Sequence, residues 1–352
     1  MLNVKIERGQ VEKLVVGKLK SADGKNFLVL DSLENELLKL DLGGAVDKFD
    51  DDDIISVSPE GLVTLLYKSK WQDLTLFFTN DCNSRCIMCP QISDEDRGNY
   101  LEFSKNILDL KPKNLSQIGI TGGEPTIYKN DLVQLLRYIH ENYADIPILL
   151  LTNGRNFSDI NFLKNILSAG HKKFLSCIPI YAATSNQHDK IVGVKNAFAQ
   201  TSRGIYNLYR LSLPVEIRIV IFRKNYQWLN EFANFIWRNF PFVVHVAFMG
   251  TEYTGNADLN KKEFWIEPYQ FRNELDTATW FLHQRNISVS IYNIPLCLLN
   301  ERSRIFSRDS ISAWKKKFFD NCKECSQQEF CSGDFATSTV RSDFINPIRR
   351  SF

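Results

Sequence analysis

The sequence predicts an α/β protein: a partial (β/α)6 TIM-like barrel, preceded by a small β-rich N-terminal module and followed by a Cys-rich C-terminal extension. Three observations predict it. From about residue 72 onward, apolar runs of strand length alternate with helical patterns. The first 70 residues hold only short β-like runs between breakers. Four of the eight cysteines fall after residue 290. The implied domains are 1–70, 71–260 and 261–352.

In the first module, residues 14–19, 27–30, 54–57 and 62–67 read as strands separated by Gly, Asp and Ser. The acidic stretch 47–53 reads as a solvated loop between them. The next six strands are 74–78, 118–120, 148–151, 174–181, 215–222 and 242–248. Their Ile, Leu, Val and Phe content suits strands covered on both faces. The third opens just after Pro147, where a missing N–H does least harm.

Helices fit between these strands. Residues 131–142 put Leu132, Leu135, Leu136 and Ile139 on one face. Ser158 suits the N-cap of a helix using Ile160, Leu163, Ile166 and Leu167, with Gly170 as its stop. Leu229, Phe232 and Ile236 mark another helix before the sixth strand. Repeated strand–helix units imply a parallel sheet with right-handed crossovers, and six units an incomplete barrel. Beyond residue 260, 267–285 reads as a helix and 288–292 as a strand.

The chain has 352 residues, 44% hydrophobic and 24% charged, with a formal net charge of +2. That is an ordinary globular composition, with no strong field pointing to nucleic acid. No stretch is apolar enough to span a membrane, and the charged N-terminus lacks the apolar core of a signal peptide. The expected location is cytoplasmic. Cysteines in a reducing compartment are ligands or nucleophiles more often than disulfides.

The chemistry-bearing motifs follow the strands, where parallel α/β folds carry it. CNSRCIMCP (82–90) places Cys82, Cys86 and Cys89 after the first strand. TGGEPT (121–126) follows the second, TNG (152–154) the third and Met249-Gly250 the sixth. Three thiolates hold three corners of a four-iron cluster and leave one iron open. Zinc with a distant fourth ligand, or plain core cysteines, is the alternative. Gly122 and Gly123 can bring bare backbone against a ligand, and Glu124 adds a carboxylate suited to an ammonium group.

CNSRCIMC with TGGEPT resembles the radical S-adenosylmethionine (SAM) enzymes, over roughly residues 72–250. The resemblance implies that Cys82, Cys86 and Cys89 hold a [4Fe-4S] cluster whose open iron is chelated by SAM. One electron then cleaves SAM to methionine and a 5′-deoxyadenosyl radical, which takes a substrate hydrogen. It also implies that Gly122, Gly123 and Glu124 hold the SAM amine, with Pro125 shaping the loop. Met88 matches the neighbour of the adenine, and Asn153 and Met249 match rim positions near the nucleoside. Arg218 suits the SAM carboxylate, or is a strand-edge arginine. Ile178-Pro179-Ile180-Tyr181 departs from the family's polar pattern at the end of the fourth strand and leaves the ribose contact open.

Three stretches, IPIYAATSNQHDKIVGVKNAF, VEIRIVIFRKN and HVAFMGTEYTGNA, are similar to the C-type radical SAM maturase of the His-Xaa-Ser peptide system, as is the tail CKECSQQEFCSGDFATSTV. That resemblance implies a ribosomally made precursor peptide as substrate, a second radical SAM maturase as partner, and an electron donor such as flavodoxin or ferredoxin. Neither membrane nor nucleic acid is expected as a partner. Cys297, Cys322, Cys325 and Cys331 suit a closed site of four thiolates, an auxiliary iron–sulfur cluster ahead of zinc. Alternatives are a radical SAM enzyme acting on a small molecule or RNA, and a non-catalytic iron–sulfur partner of another maturase. His188-Asp189 reads as a local cap in a loop, Cys177 as a small core residue and His245 as a satisfied core histidine. Tyr181 and Tyr253 read as substrate contacts or aromatic lining.

Overall fold

The computed structural model describes residues 3–6, 11–22, 26–91 and 97–349; the charged N-terminal stretch read above lies partly outside them. The chain divides into two compact units. The first is Met1–Asn80 with Arg97–Leu150 and Ile166–Phe174, and the second is Asp81–Asp96 with Leu151–Asn165 and Leu175–Phe352.

The first unit opens with six antiparallel strands: β1 (Asn3–Lys5), β2 (Val15–Ser21), β3 (Asn26–Leu30), β4 (Glu36–Asp41), β5 (Ile54–Val57) and β6 (Leu62–Tyr67). Their order is β1-β6-β5-β2-β3-β4. Strand β6 shows the alternation of a half-covered strand, burying Val63, Leu65 and Tyr67 while Leu62 is exposed. Val63 and Leu65 join Leu19, Phe27, Val29, Leu40, Ile55 and Val57 in one apolar core. Strands β1 and β4 were not legible as strands. Both lie at sheet edges, and only Leu40 of β4 is buried.

The acidic stretch is not simply a solvated loop. Asp53 is fully buried and accepts the backbone N–H groups of Asp50 at 2.9 Å and Ser69 at 2.8 Å. Asp51 accepts the Ser21 N–H at 2.6 Å. These carboxylates satisfy turn amides that would otherwise lack partners.

Strand β7 (Asp73–Thr79) begins the parallel α/β part. It is followed by α1 (Leu101–Asp109), β8 (Gln117–Gly122), α2 (Lys129–Tyr143), β9 (Ile148–Leu151) and α3 (Ile160–Ser168). Helix α2 buries Leu132, Leu135, Leu136 and Ile139, the face its spacing predicts. Ser158 ends a 3-10 turn instead of capping α3, and Asp159 takes the Asn161 N–H at 3.0 Å.

In the second unit the chain continues through β10 (Phe174–Pro179), α4 (Ser185–Val192), α5 (Ala197–Arg210), β11 (Val215–Ile221), α6 (Leu229–Asn239) and β12 (His245–Gly250). Short helices α7 (Gly255–Leu259) and α8 (Lys261–Phe264) lead to α9 (Pro268–His283), β13 (Val289–Tyr292) and the two-residue β14 (Ser307–Arg308). The tail adds a small ribbon of β15 (Lys316–Lys317) and β16 (Asp334–Phe335).

Eight strands belong to the parallel sheet. In the first unit β9, β8 and β7 are neighbours, and in the second β14, β13, β12, β11 and β10 follow one another. The sheet thus runs on past the six expected strands through β13 and β14. His188 and Asp189 lie within α4 rather than in a loop. Thr184 caps that helix by accepting the Gln187 N–H, and Gly193 closes it. Among the described residues no helix is long and apolar enough to cross a membrane.

Candidate functional site

The cysteine loop belongs to the second unit and is gripped along its backbone. Its N–H groups reach the end of α4: Arg85 donates to the Val192 carbonyl at 2.9 Å and Ile87 to the Ile191 carbonyl at 3.1 Å. Its carbonyls are taken by the segment after β12. Asn260 Nδ2 donates to the Ile87 carbonyl at 3.1 Å and Asn256 Nδ2 to that of Cys86 at 3.4 Å. The Ala257 N–H reaches the Cys89 carbonyl at 3.3 Å, and Thr254 Oγ1 donates to that of Pro90 at 3.0 Å.

Asn153 and Arg155 hold the loop's other end. Asn153 Nδ2 donates to Asn83 Oδ1 at 2.6 Å and Ser84 Oγ at 3.3 Å. Arg155 donates to the Asn83 carbonyl and to Ser84 Oγ, while Gln200 holds its Nε at 2.8 Å. The sequence reading placed Asn153 near a nucleoside; its amide nitrogen serves the cysteine loop directly. Met88 is buried among Tyr181, Ile191, Val192, Phe222, Tyr253 and Phe264, which anchors the loop from below. Tyr181 and Tyr253 are therefore lining, and the Tyr253 hydroxyl donates to the Phe264 carbonyl at 3.1 Å.

Cys82 is exposed, whereas Cys86 and Cys89 are half-buried. Burial pushes the Cys86 thiol well above its ordinary range, and the neighbouring Cys89 and Cys82 push it further. Burial also raises Cys89. A Cys86 thiol whose ionisation its two cysteine neighbours oppose fits a cation that supplies the missing positive charge, as bound iron does. The donor set, three cysteines on one short loop with no further ligand in it, fits a cluster with one corner free.

The Gly-Gly-Glu-Pro loop belongs to the first unit. Gly122 has φ of +140°, and a Cβ there would stand 2.3 Å from the Thr79 carbonyl oxygen. Its missing side chain thus lets β8 close against β7. Gly123 donates its N–H to the same carbonyl at 2.7 Å. Glu124 is fully buried, and its Oε1 accepts from the Thr126 N–H at 3.1 Å and the Thr126 hydroxyl at 2.5 Å. Pro125 opens the 3-10 turn that this cap secures.

Arg218 on β11 is partly buried, with its Nε 2.5 Å from Glu216 Oε1. Met249 is half-buried near the end of β12, in register with Val220 and Tyr292. Cys177 is 1% exposed, and burial pushes its thiol up to about 12, as a core residue. His245 has partners on both ring nitrogens, Glu216 and Ser290. Asp189 accepts the N–H groups of Asn196 and Phe198, tying α4 to α5.

Cys297, Cys322, Cys325 and Cys331 line one cavity with Phe318, Phe319 and Ile348. Backbone N–H groups point at their sulfurs: Leu296 and Gly333 at Cys331, and Ile348 at Cys325, each at 3.4 Å. Such donors stabilise sulfur that carries negative charge, a feature of iron–sulfur ligation. Burial raises the Cys297 thiol to about 11 and Cys331 in the same direction. Among the described residues, no three His, Cys, Asp or Glu side chains converge to hold a single metal ion. The tail cysteines share a cavity rather than a point.

Sequence reasoning missed the grip itself. Asn83, Ser84, Arg155, Gln200, Gly255, Asn256 and Asn260 lie on four separate segments. No spacing in the sequence says that these segments meet.

Residues 76–236 match the family model described as Radical SAM superfamily. The antilisterial bacteriocin subtilosin biosynthesis protein AlbA of Bacillus subtilis is 26% identical over 162 residues, covering 45% of this chain and 35% of AlbA. GTP 3′,8-cyclase of Photorhabdus laumondii is 26% identical over 235 residues, 64% of this chain and 68% of the cyclase. Streptococcus suis SuiB bound to precursor peptide SuiA superposes with a TM-score of 0.53 at 18% identity, covering 64% of this chain and 49% of SuiB. SuiB bound to S-adenosylmethionine gives 0.52 at 19% identity, over 62% of this chain and 50% of SuiB. At that identity the likeness establishes the fold. The chain spans about half the length of the first relatives it matches. Over residues 76–236, a little under half of its length, the chain is similar to the radical SAM superfamily.

Proposed function

We propose that this protein reductively cleaves S-adenosylmethionine and uses the resulting radical to modify a ribosomally made peptide, of the His-Xaa-Ser repeat type. In this reading Cys82, Cys86 and Cys89 hold the cluster. Gly122, Gly123, Glu124 and Pro125 form the loop for the SAM amine. Met88, Asn153 and Met249 are assigned to the nucleoside of SAM, and Arg218 to its carboxylate. When bound, the cluster supplies the single electron that breaks SAM. The protein's own part is to fix the three sulfurs and exclude water.

The observation that carries this reading is the loop 82–90, whose backbone is clamped from three sides within the span similar to the radical SAM superfamily. A peptide substrate is supported by SuiB, solved with a precursor peptide, and by AlbA, named for bacteriocin biosynthesis. We assign an auxiliary iron–sulfur cluster to Cys297, Cys322, Cys325 and Cys331, on the strength of their shared cavity and N–H···S contacts. A second maturase and a flavodoxin or ferredoxin complete the proposed partners, in the cytoplasm.

Similarity to GTP 3′,8-cyclases supports a second reading, a small-molecule substrate. Anaerobically reconstituted protein with dithionite and SAM is expected to release 5′-deoxyadenosine, and Cys86→Ala to release none. Equal release by both proteins defeats the assignment of the triplet. Added His-Xaa-Ser peptide should change mass, and added GTP should not. Consumption of GTP with an unchanged peptide selects the second reading.

A further inference from the structure

Four neighbouring strands of the second unit carry polar side chains on one face, an unusual content for a parallel sheet. The register pairs Cys177 with Glu216 and Glu216 with His245. It also pairs Arg218 with Ala247, Ala247 with Ser290, and Met249 with Tyr292. The face therefore presents Cys177, Glu216, Arg218, His245, Ser290 and Tyr292 together.

Three of these form an ordered chain. His245 Nδ1 lies 2.8 Å from Glu216 Oε2, and His245 Nε2 lies 2.9 Å from Ser290 Oγ. Arg218 Nε holds the other oxygen of Glu216 at 2.5 Å. Burial works against ionising Glu216, but the His245 hydrogen bond and the Arg218 charge outweigh it and bring its carboxyl down to about 2. An ionised carboxylate only accepts, so His245 Nδ1 must carry the hydrogen. Ser290 Oγ sits at the other ring nitrogen, Nε2, and donates to it in the tautomer with hydrogen on Nδ1 alone.

Ser290 lies two residues before Tyr292, the last residue of β13, so about 7 Å of strand separates it from the C-terminal end. His245 opens β12 and Glu216 is the second residue of β11. The hydroxyl is thus the member of the chain nearest the end of the strands from which chemistry-bearing loops leave. Ser290 sits within a strand rather than at a strained strand-to-helix elbow, which favours a base over an acyl-transfer nucleophile.

We propose that Ser290, His245 and Glu216 form a proton-accepting relay. Ser290 Oγ takes a proton from a neutral O–H or N–H group of the substrate as its own proton passes to His245 Nε2. The substrate leaves with one more negative charge, the imidazole becomes imidazolium, and Glu216 balances it; no electrons move. The proposal rests on the reading of this chain as an enzyme and adds where a released proton goes. Ser290 is the catalytic residue, and Glu216 is a positioning residue that fixes the tautomer. The titratable and charged groups facing His245 are Glu216 and Arg218 on β11, Tyr292 on β13 and Cys177 on β10.

Two measurements test it. In ¹⁵N-histidine-labelled protein at neutral pH, the imidazole signal missing from His245→Gln is expected to show hydrogen on Nδ1 and a bare Nε2. Its Nε2 resonance is expected to move in Ser290→Ala. A hydrogen on Nε2 instead overturns the relay. With a His-Xaa-Ser peptide, modified peptide per 5′-deoxyadenosine is expected to fall about a hundredfold or more in Ser290→Ala and His245→Gln. Wild-type yields in both variants overturn the relay. Should the wild type release no 5′-deoxyadenosine, the radical reading has failed, and the imidazole spectrum still decides the relay.

Discussion

Replacing Gly255 by alanine puts a methyl group into the backbone of the cysteine loop. Gly255 has φ of +55°, and a Cβ there would stand 2.5 Å from the Pro90 carbonyl oxygen, 2.6 Å from its carbon and 2.9 Å from the Gln91 carbonyl carbon. Holding an L-residue in the left-handed region costs about 1–2 kcal/mol. Overpacking against atoms that cannot rotate away adds about 1–3 kcal/mol. The sum, about 2–5 kcal/mol, is roughly a thirty- to several-thousand-fold shift against the clamped loop. Because the clash involves one contact, the strain should displace residues 86–91 before it unfolds the unit. Iron content and the cluster's electron paramagnetic resonance after anaerobic reconstitution read that displacement, and far-ultraviolet circular dichroism reads the fold. Gly44→Ala is the control, since a Cβ there meets nothing within 4 Å and no positive φ is required. Full cluster occupancy with an unchanged signal in Gly255→Ala refutes the clamp.

Other outcomes follow from the same contacts. Asn260→Ala removes the bonds to the Ile87 and Asn256 carbonyls, about 2 kcal/mol at about 1 kcal/mol each, and should make the cluster more labile to a chelator with little change in melting temperature. His188 is 2% exposed, and burial lowers it from 6.5 to about 4. A depressed histidine contributes stability in full above 6.5 and loses it as pH falls toward about 4, a drop of order 3 kcal/mol that His188→Gln should lack in denaturant titrations. Cys322→Ser should remove metal from the tail while leaving SAM cleavage; loss of both metals together would contradict two separate sites.

The cysteine triplet and the Gly-Gly-Glu-Pro loop were legible because each is local: a few residues at fixed spacing specify the chemistry. The buried parallel strands were legible as apolar runs, and α2 and α9 as periodic faces. What the sequence hid is relational. Helix α4 was read as a loop because its polar run, Ser-Asn-Gln-His-Asp-Lys, has too few apolar residues to show a period, yet Ile191, Val192 and His188 are buried. Edge strand β4 hid for a similar reason, burying only one side chain. Asp53 looked like part of a charged loop, and only the fold brings it the amides of Asp50 and Ser69. Glu216, His245 and Ser290 lie on three strands with no shared spacing, so their chain exists only in the register. Gly122 has a demand for glycine that no motif announces, its close approach to Thr79.

Central to the proposed function is a four-iron cluster in which Cys82, Cys86 and Cys89 each hold one iron and leave the fourth free for S-adenosylmethionine. The most direct measurement is electron paramagnetic resonance of the oxygen-free, dithionite-reduced protein with Cys297, Cys322, Cys325 and Cys331 replaced by serine. Adding S-adenosylmethionine should alter the reduced cluster's signal, and methionine isotopically labelled at its amine should show coupling to it. A reduced-cluster spectrum that stays the same with saturating S-adenosylmethionine contradicts the account.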